Sequence, residues 1–416
     1  MGDIPPAPSK VRPRFGRVTL GSGLLGALFL MATSAVGPGF ITQTTTFTAQ
    51  LGATFAFAIL VSILVDIAVQ LNIWRVIGVA NVRAQDLANK VVPGAGYVLA
   101  ALIVFGGLVF NVGNLAGTGL GLDAMTGLDT RVGAVLSALL AVVILGVKRL
   151  GAALDRILVV LGVGMIALTL YVAVVSRPPV GEALRQSVLP DQLGTDVFLA
   201  TVTIIGGTVG GYITYAGVHR LVELGHGGRE NVAAITRTSV TGIVVTGVMR
   251  VLLFLAVLGV VAGGASLLDS ANPAAEAFQQ AAGETGMRLF GVIMWAAAVS
   301  SVIGASYTSI SFVSTFHPLL EKRRGTLVTA FIGVSLAVLL VSGQAPTTLL
   351  ILAGALNGVI LPVGLGIMLY VATRRSRDLL GGYRYPVWLL VVGWLAWALT
   401  AYMAVNSLSG IAALWQ

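Results

Sequence analysis

Cysteine is absent from the 416-residue chain, which excludes a disulfide framework and a thiolate metal site. Histidine is almost as rare: His219, His226 and His317 are too dispersed to surround one metal ion. Charge is scarce as well, with 10% charged against 56% hydrophobic residues and a mean hydropathy of +0.95. No water-soluble domain of this length tolerates such a balance, so the chain is an integral membrane protein. Short alternating segments are missing, which argues against a membrane β-barrel. No phosphate-cradling loop and no nucleophile with a nearby base can be found, so neither a cofactor nor an enzyme activity is expected.

What is present is a series of apolar runs of roughly 20 residues, each long enough to cross a ~30 Å hydrocarbon core as a helix. The expected fold is all-α and polytopic. Eleven segments are predicted: 21–49, 53–73, 97–122, 132–147, 156–176, 196–219, 236–262, 288–316, 326–343, 347–373 and 386–406. The first 19 residues, basic and Pro-rich, have no small-residue cleavage site after the apolar run that follows and read as a cytosolic tail. With the N-terminus inside, 20 Lys and Arg fall on the cytoplasmic side and four (Arg131, Arg177, Arg185, Arg288) outside, as the positive-inside rule requires. The net charge of +9 is thus a topological signal, and nucleic acid is not an expected partner. The partners are the bilayer, here the plasma membrane, and an ion or small-molecule substrate.

Two segments are interrupted. "MATSAVGPGFITQTTTFTAQ" (31–50) breaks an apolar run at Gly37-Pro38-Gly39 and then sets out Gln43 and five threonines between 42 and 48. "IIGGTVGGYITYAGVHR" (204–220) places Gly206, Gly207, Gly210 and Gly211 in the sixth segment. Either break alone could serve close helix packing, with hydroxyls bonding back to their own helix. Paired five segments apart, they point to a transporter of two inverted five-helix repeats, 20–176 and 196–373, joined by an extracellular loop at 177–195 and followed by a linker and eleventh helix at 374–416. Unwound backbone survives in a membrane only where protein or an aqueous cavity covers it. A half-helix restarting after the first break would aim its positive end at the gap, favouring a carboxylate or another electronegative atom.

At these residues the chain resembles the Nramp family, whose members import divalent transition metals coupled to protons on an amino acid transporter type of inverted-repeat fold. "LLGALFLMATSAVGPGF" (24–40) is similar to the family's first helix up to its Asp-Pro-Gly-Asn break. "VQLNIWRVIGVANVRAQDLA" (69–88) resembles the end of the second helix and the amphipathic stretch after it. "AAEAFQQAAGETGMRLFGVIMWAAAVSSVIGASYTS" (274–309) and "LNGVILPVGLGIMLY" (356–370) resemble the eighth and tenth helices. The positions that carry metal in the family differ together: its first-helix Asp and Asn align with Gly37 and Phe40, and its sixth-helix Met-Pro-His with Gly210, Gly211 and Tyr212. The third-helix acids implied by the resemblance align with Asn114 and Gly117, neither of which exchanges a proton. No metal site of the family's type is therefore expected. The substrate-binding residues read from the two breaks are Gly37, Gly39, Phe40, Gln43, Thr44, Asn114, Gly210, Gly211 and Tyr212.

Two charges remain in mid-membrane, Asp66 in the second segment and Arg250 in the seventh. Each costs several kcal/mol unless paired or hydrated. A mutual salt bridge is the simple reading, either as a structural lock or as part of the function, and Arg250 could instead clamp an anionic substrate. Glu223 and Glu230 read as a solvated cytoplasmic face, the histidines as helix-end residues, and Trp388, Trp394, Trp397 and Trp415 as interfacial or lipid-facing. The leading function is a secondary transporter of a small polar or carboxylated solute. The alternative keeps a divalent cation, hydrated Mg2+ or Mn2+-like, with proton symport; a scaffold that has lost its cargo is the non-transport reading.

Overall fold

The computed structural model describes residues 34–413, with the side chains of 148–158 and 408–413 outside the described set. The tail predicted over 1–19, most of the first half of segment one, and the side chains of Lys148, Arg149, Arg156 and Trp415 therefore lie outside the described residues. All described secondary structure is helical, because in lipid a helix satisfies every backbone N–H and C=O within its own segment.

The helices are α1 (Pro38–Leu51), α2 (Phe55–Ala80), α3 (Ala84–Val91), α4 (Ala95–Thr126), α5 (Thr130–Gly146), α6 (Lys148–Val175), α7 (Val180–Val188), α8 (Thr195–Val209), α9 (Ile213–Glu223), α10 (Val232–Ala262), α11 (Pro273–Ser314), α12 (Pro318–Lys322), α13 (Arg324–Ser342), α14 (Pro346–Arg374), α15 (Ser376–Leu379) and α16 (Val387–Ala413). Eight described stretches are apolar and long enough to cross a membrane, or nine if Val159–Val175 and Val180–Val188, bent by 107°, form one span. Each of the eleven expected segments falls on a helix. The difference in count arises because Pro38–Ala80 runs as one stretch through a short 3-10 turn at Gly52–Thr54, and because Thr130–Gly146 is shorter than the rest.

Three boundaries differ from expectation for physical reasons. α2 continues to Ala80 and stops where Asn81 turns left-handed, φ 51°. The loop at 177–195 contains α7, which buries Ala183 and Gln186; the Gln186 side-chain Oε1 accepts a bond from the Thr54 hydroxyl and so ties the loop to the turn between α1 and α2. α11 starts at Pro273, well before the predicted 288, and bends at Gly283.

Equivalent members of the two repeats pack on each other. α4 lies along α11, where a Cβ on Gly121 would fall 2.6 Å from the Trp295 nitrogen; small residues let these backbones approach closely, as membrane helices favour. α2 packs on α10 in the same way, and within the second repeat α8 packs on α14. The broken helices α1 and α8–α9 sit among these pairs. From Pro38 through Thr48 every residue of α1 is buried, threonines included.

Candidate substrate site

The first break is at Val36 and Gly37. Gly37 is extended (φ −75°, ψ −178°) and α1 restarts at Pro38, whose missing N–H costs nothing in a first turn. The N–H groups of Gly39 and Phe40 lie in that first turn, where no intrahelical acceptor exists for them. The second break spans Gly210 to Tyr212, narrower than the 206–211 expected. Gly206 and Gly207 belong to α8 and serve packing: a Cβ on Gly206 would fall 1.9 Å from the Gly354 carbonyl oxygen. Gly211 is left-handed at φ +54°, and a Cβ there would meet Asn357 Oδ1 at 1.7 Å, so only glycine suits this turn. The α8 carbonyl at Val209 is satisfied by the Thr214 hydroxyl across the gap, 2.6 Å.

Polar side chains converge beside the breaks. The Tyr212 phenol lies next to Asn114 of α4 and to Ser34, just before the first break. The phenol and Asn114 Nδ2, both buried, meet in a loose contact short of a well-formed hydrogen bond, with Ser34 also in reach of the phenol. Phe110, one turn before Asn114, meets the Tyr212 ring edge-on at 5.6 Å and also packs against Gly39. Thr44 and Thr203, fully buried, keep unpartnered hydroxyls, whereas Thr45 and Thr48 bond back to the carbonyls of Ile41 and Thr44. The site thus joins Gly37, Gly39, Asn114 and Tyr212 as read from sequence, and adds Ser34 and Phe110, which sequence reasoning passed over. An aromatic one turn from a buried amide was the available signal.

Other predicted residues take different places. Phe40 lies in an apolar cluster with Ile41, Leu120 and Leu253, and contributes packing in place of a contact in the gap. Gly210 and Gly211 are covered by Gly206 and Asn357. Gln43 acts as a wedge: its Nε2 donates to the Leu350 carbonyl at 2.7 Å, while Oε1 lies against the α-carbon of Gly207 with no hydrogen-bond donor. Gly354 admits the other side of the same amide. One side chain from α1 therefore fills the seam of α8 and α14, and glycines on both helices make room. Gly207→Ala, whose Cβ would fall 2.0 Å from Gln43 Oε1, is expected to cost about 1–3 kcal/mol by overpacking. Gln43→Ala in the same chain should recover most of that loss in a thermal melt. A loss that persists in the double variant would count against the wedge.

Gly117, aligned by resemblance with a family acid, has a packing reason for being glycine. A Cβ there would fall 2.3 Å from the Pro38 ring, so α4 touches α1 at this point and no side chain fits. Asp66 and Arg250 face each other between α2 and α10, 2.7 Å apart and each 1% exposed. The guanidinium also donates to the Ser62 carbonyl at 3.1 Å.

At the arginine-rich end the structure corrects two readings. Glu223 is not a solvated residue: its side chain is 9% exposed and receives Arg83 at 3.0 Å, Arg324 at 2.8 Å and the Tyr307 hydroxyl at 2.5 Å. Arg324 also lies 4.1 Å over the Tyr307 ring. His219 is buried and stacked on Phe312. The Ser311 hydroxyl donates to the Thr308 carbonyl, so it accepts from His219 Nδ1–H, while Nε2 accepts the Ala84 N–H. These bonds specify a neutral ring with one tautomer. Glu230 and His317 are exposed as expected, and Trp397 donates to the Pro362 carbonyl at 3.0 Å.

Two broken helices meeting across buried polar side chains, in a chain of two inverted repeats, define a membrane transporter. The family model for Nramp, natural resistance-associated macrophage protein-like, matches residues 28–410, and the chain belongs to that family. YcsG, an uncharacterized membrane protein of Bacillus subtilis, is 49% identical over 385 residues, 92% of this chain and 94% of its own. An uncharacterized membrane protein of Haemophilus influenzae is 49% identical over 383 residues, 92% of this chain and 95% of its own. Among solved structures, a mutant of the manganese transporter of Eremococcus coleocola superposes with a TM-score of 0.76 at 17% identity, covering 97% of this chain and 90% of its own. MhsT in complex with L-phenylalanine superposes at 0.68 and 17% identity, covering 95% and 98%. At such identities the shared property is the fold.

Proposed function

We propose that this Nramp-family transporter carries a small polar or carboxylated solute, in place of a bare transition metal, through the gap between Gly37 and Tyr212. The observation that carries this reading is the polar set: the Asn114 amide and the Tyr212 phenol, in loose reach of each other and of Ser34, are buried beside the starts of α1 and α9. Amide, phenol and two positive helix ends suit a carboxylate or a hydrogen-bonding solute. Soft or multiply charged ligands for a transition ion are not what these positions offer, and among the described residues no three of His, Cys, Asp and Glu come together. The protein is read as a plasma-membrane transporter with its N-terminus and the Glu223 network on the cytoplasmic side, where the arginines concentrate.

The test is a thermal-shift panel on the purified chain with small mono- and dicarboxylates, MnCl2 and MgCl2. A ligand at 100 times its Kd adds about 2.7 kcal/mol to stability. A carboxylate should raise Tm in the wild type and leave Tyr212→Phe and Asn114→Ala unmoved. Manganese is expected to bind weakly or not at all by isothermal titration. Tight, saturable manganese heat that vanishes in Asn114→Ala would sink the solute reading. It would favour the second one, a divalent cation, which the likeness in fold to a manganese transporter supports and which for Mg2+ would be helped by retained water ligands.

A further inference from the structure

Asp66 and Arg250 lie on a stripe that the solute site does not use. Ser62, Asp66 and Gln70 recur every four residues on α2 and so share one face. On α10 the residues Arg250, Thr246, Ser239 and Thr236 share the opposing face. The helices are antiparallel in register: Arg250 bonds the Ser62 carbonyl and Asp66, Arg75 bonds the Thr236 hydroxyl at 3.0 Å, and Gly78 packs on Ile235. That register places Gln70 and Ser239 between the ion pair and the Arg75–Thr236 contact. The stripe thus runs from mid-membrane to the half-buried, arginine-rich end of α2.

Its polar atoms are poorly satisfied by protein. The Asp66 carboxylate and the Gln70 amide lie in reach of each other, a contact too loose to satisfy Oδ1 or either amide atom fully, and Arg250 Nε, the Ser239 hydroxyl and Arg75 Nε are buried with no well-formed protein hydrogen bond. A structural lock would saturate these groups, because an unbonded buried polar group keeps its full desolvation penalty and a half-satisfied network is worse than an apolar contact. The mixture of donors and acceptors also names the missing partner. Arg250 repels a metal cation and Asp66 repels an anion, so the ligand is water, which both gives and accepts hydrogen bonds.

We propose that Asp66 is the proton-carrying residue of this transporter, exchanging its proton with the arginine-rich side through water held along Gln70 and Ser239. Binding a proton turns the Asp66 carboxylate into a carboxylic acid and releases its bond from Arg250 Nη2; the return step gives the proton to water at the Arg75–Thr236 end and re-forms the pair. The charge acting on Asp66 is that of Arg250 on α10, and the charge acting on Arg250 is that of Asp66; α8, α9, α14 and α16 bring no further charge to the pair. The role of this proton in driving transport rests on the transporter reading above, whereas the proton site itself is tested without any solute.

The experiment is pH-difference infrared spectroscopy on the full-length protein in lipid, in H2O and D2O. A carboxylic-acid C=O band should grow as the pH is lowered, shift in D2O, and be lost in the paired variant Asp66→Asn/Arg250→Gln. Asp66→Glu should keep the band at a changed position, and Gln70→Leu should keep it at equilibrium while slowing its exchange with D2O. A band unaltered by the paired variant, no titrating band in the wild type, or wild-type exchange in Gln70→Leu would each overturn the proposal. Solute flux that fails while the band behaves as stated would overturn only the transport reading.

Discussion

Arg250→Leu alone is expected to cost about 3–5 kcal/mol of stability, and Asp66→Leu alone a similar amount, because each leaves its buried partner without the opposite charge that offsets its desolvation. Both residues are 1% exposed and bonded at 2.7 Å, so neither orphan can reach bulk water by a side-chain rotation. Asp66→Leu/Arg250→Leu together should lie within about 1 kcal/mol of the wild type or above it, since an apolar pair removes two desolvation penalties at once. Chemical or thermal melts of the four proteins give the coupling energy directly. Strictly additive losses would show that the two groups do not depend on each other. The double variant is informative for a second reason: it should fold and yet lack the proton site, which separates stability from coupling in one protein.

Glu223→Ala is expected to have the second-largest effect. It strips the carboxylate from Arg83 and Arg324, whose side chains are 12% and 14% exposed, and from the Tyr307 hydroxyl. Both arginines keep the half-exposed Glu321 at 3.9 and 3.6 Å, so the loss should cost on the order of 2 kcal/mol, below that of a fully stranded buried charge, while Glu223→Gln should cost less because the amide oxygen still accepts a bond. The network joins α9, the residue before α3, α11 and α13 at one end of the molecule, so its loss should also open that end. The lack of any native cysteine makes the opening measurable. Asn114→Cys should be protected from a membrane-impermeant thiol reagent applied at the arginine-rich side, and should become reactive when Glu223→Ala is added. A fall in Tm with unchanged labelling would make the network a brace with no part in gating.

The contrast between Glu223 and Asp66 shows how much of this site could be read in advance. Asp66 and Arg250 stand out in sequence because a charge inside a 20-residue apolar run has few physical options, and pairing between equivalent segments was the simplest. Glu223 follows the sixth apolar segment among Arg220, Arg229 and His226, where sequence offers solvation as the default. Its burial arises from Tyr307 and Arg324, which are 84 and 101 residues away. Gln43 is similar: the row of threonines drew attention to α1, yet the amide's destination is set by Gly207 and Gly354 on two other helices.

By itself the sequence determined the all-helical membrane class, the two interrupted segments and the family, because bilayer thickness, backbone satisfaction and glycine breaks act locally along the chain. The resemblance read in it also implied that the family's metal-holding Asp and Asn are replaced at Gly37 and Phe40, and its third-helix acids at Asn114 and Gly117. Only the tertiary structure decided which residues face the gap. Whether a buried side chain packs, wedges or stays unpaired depends on what the neighbouring helix presents at that height. Asn114 and Tyr212 therefore meet at the break, Phe40 and Gly211 are taken up by packing, and the orphaned stripe from Asp66 to Ser239 comes into view when α2 and α10 are set in register.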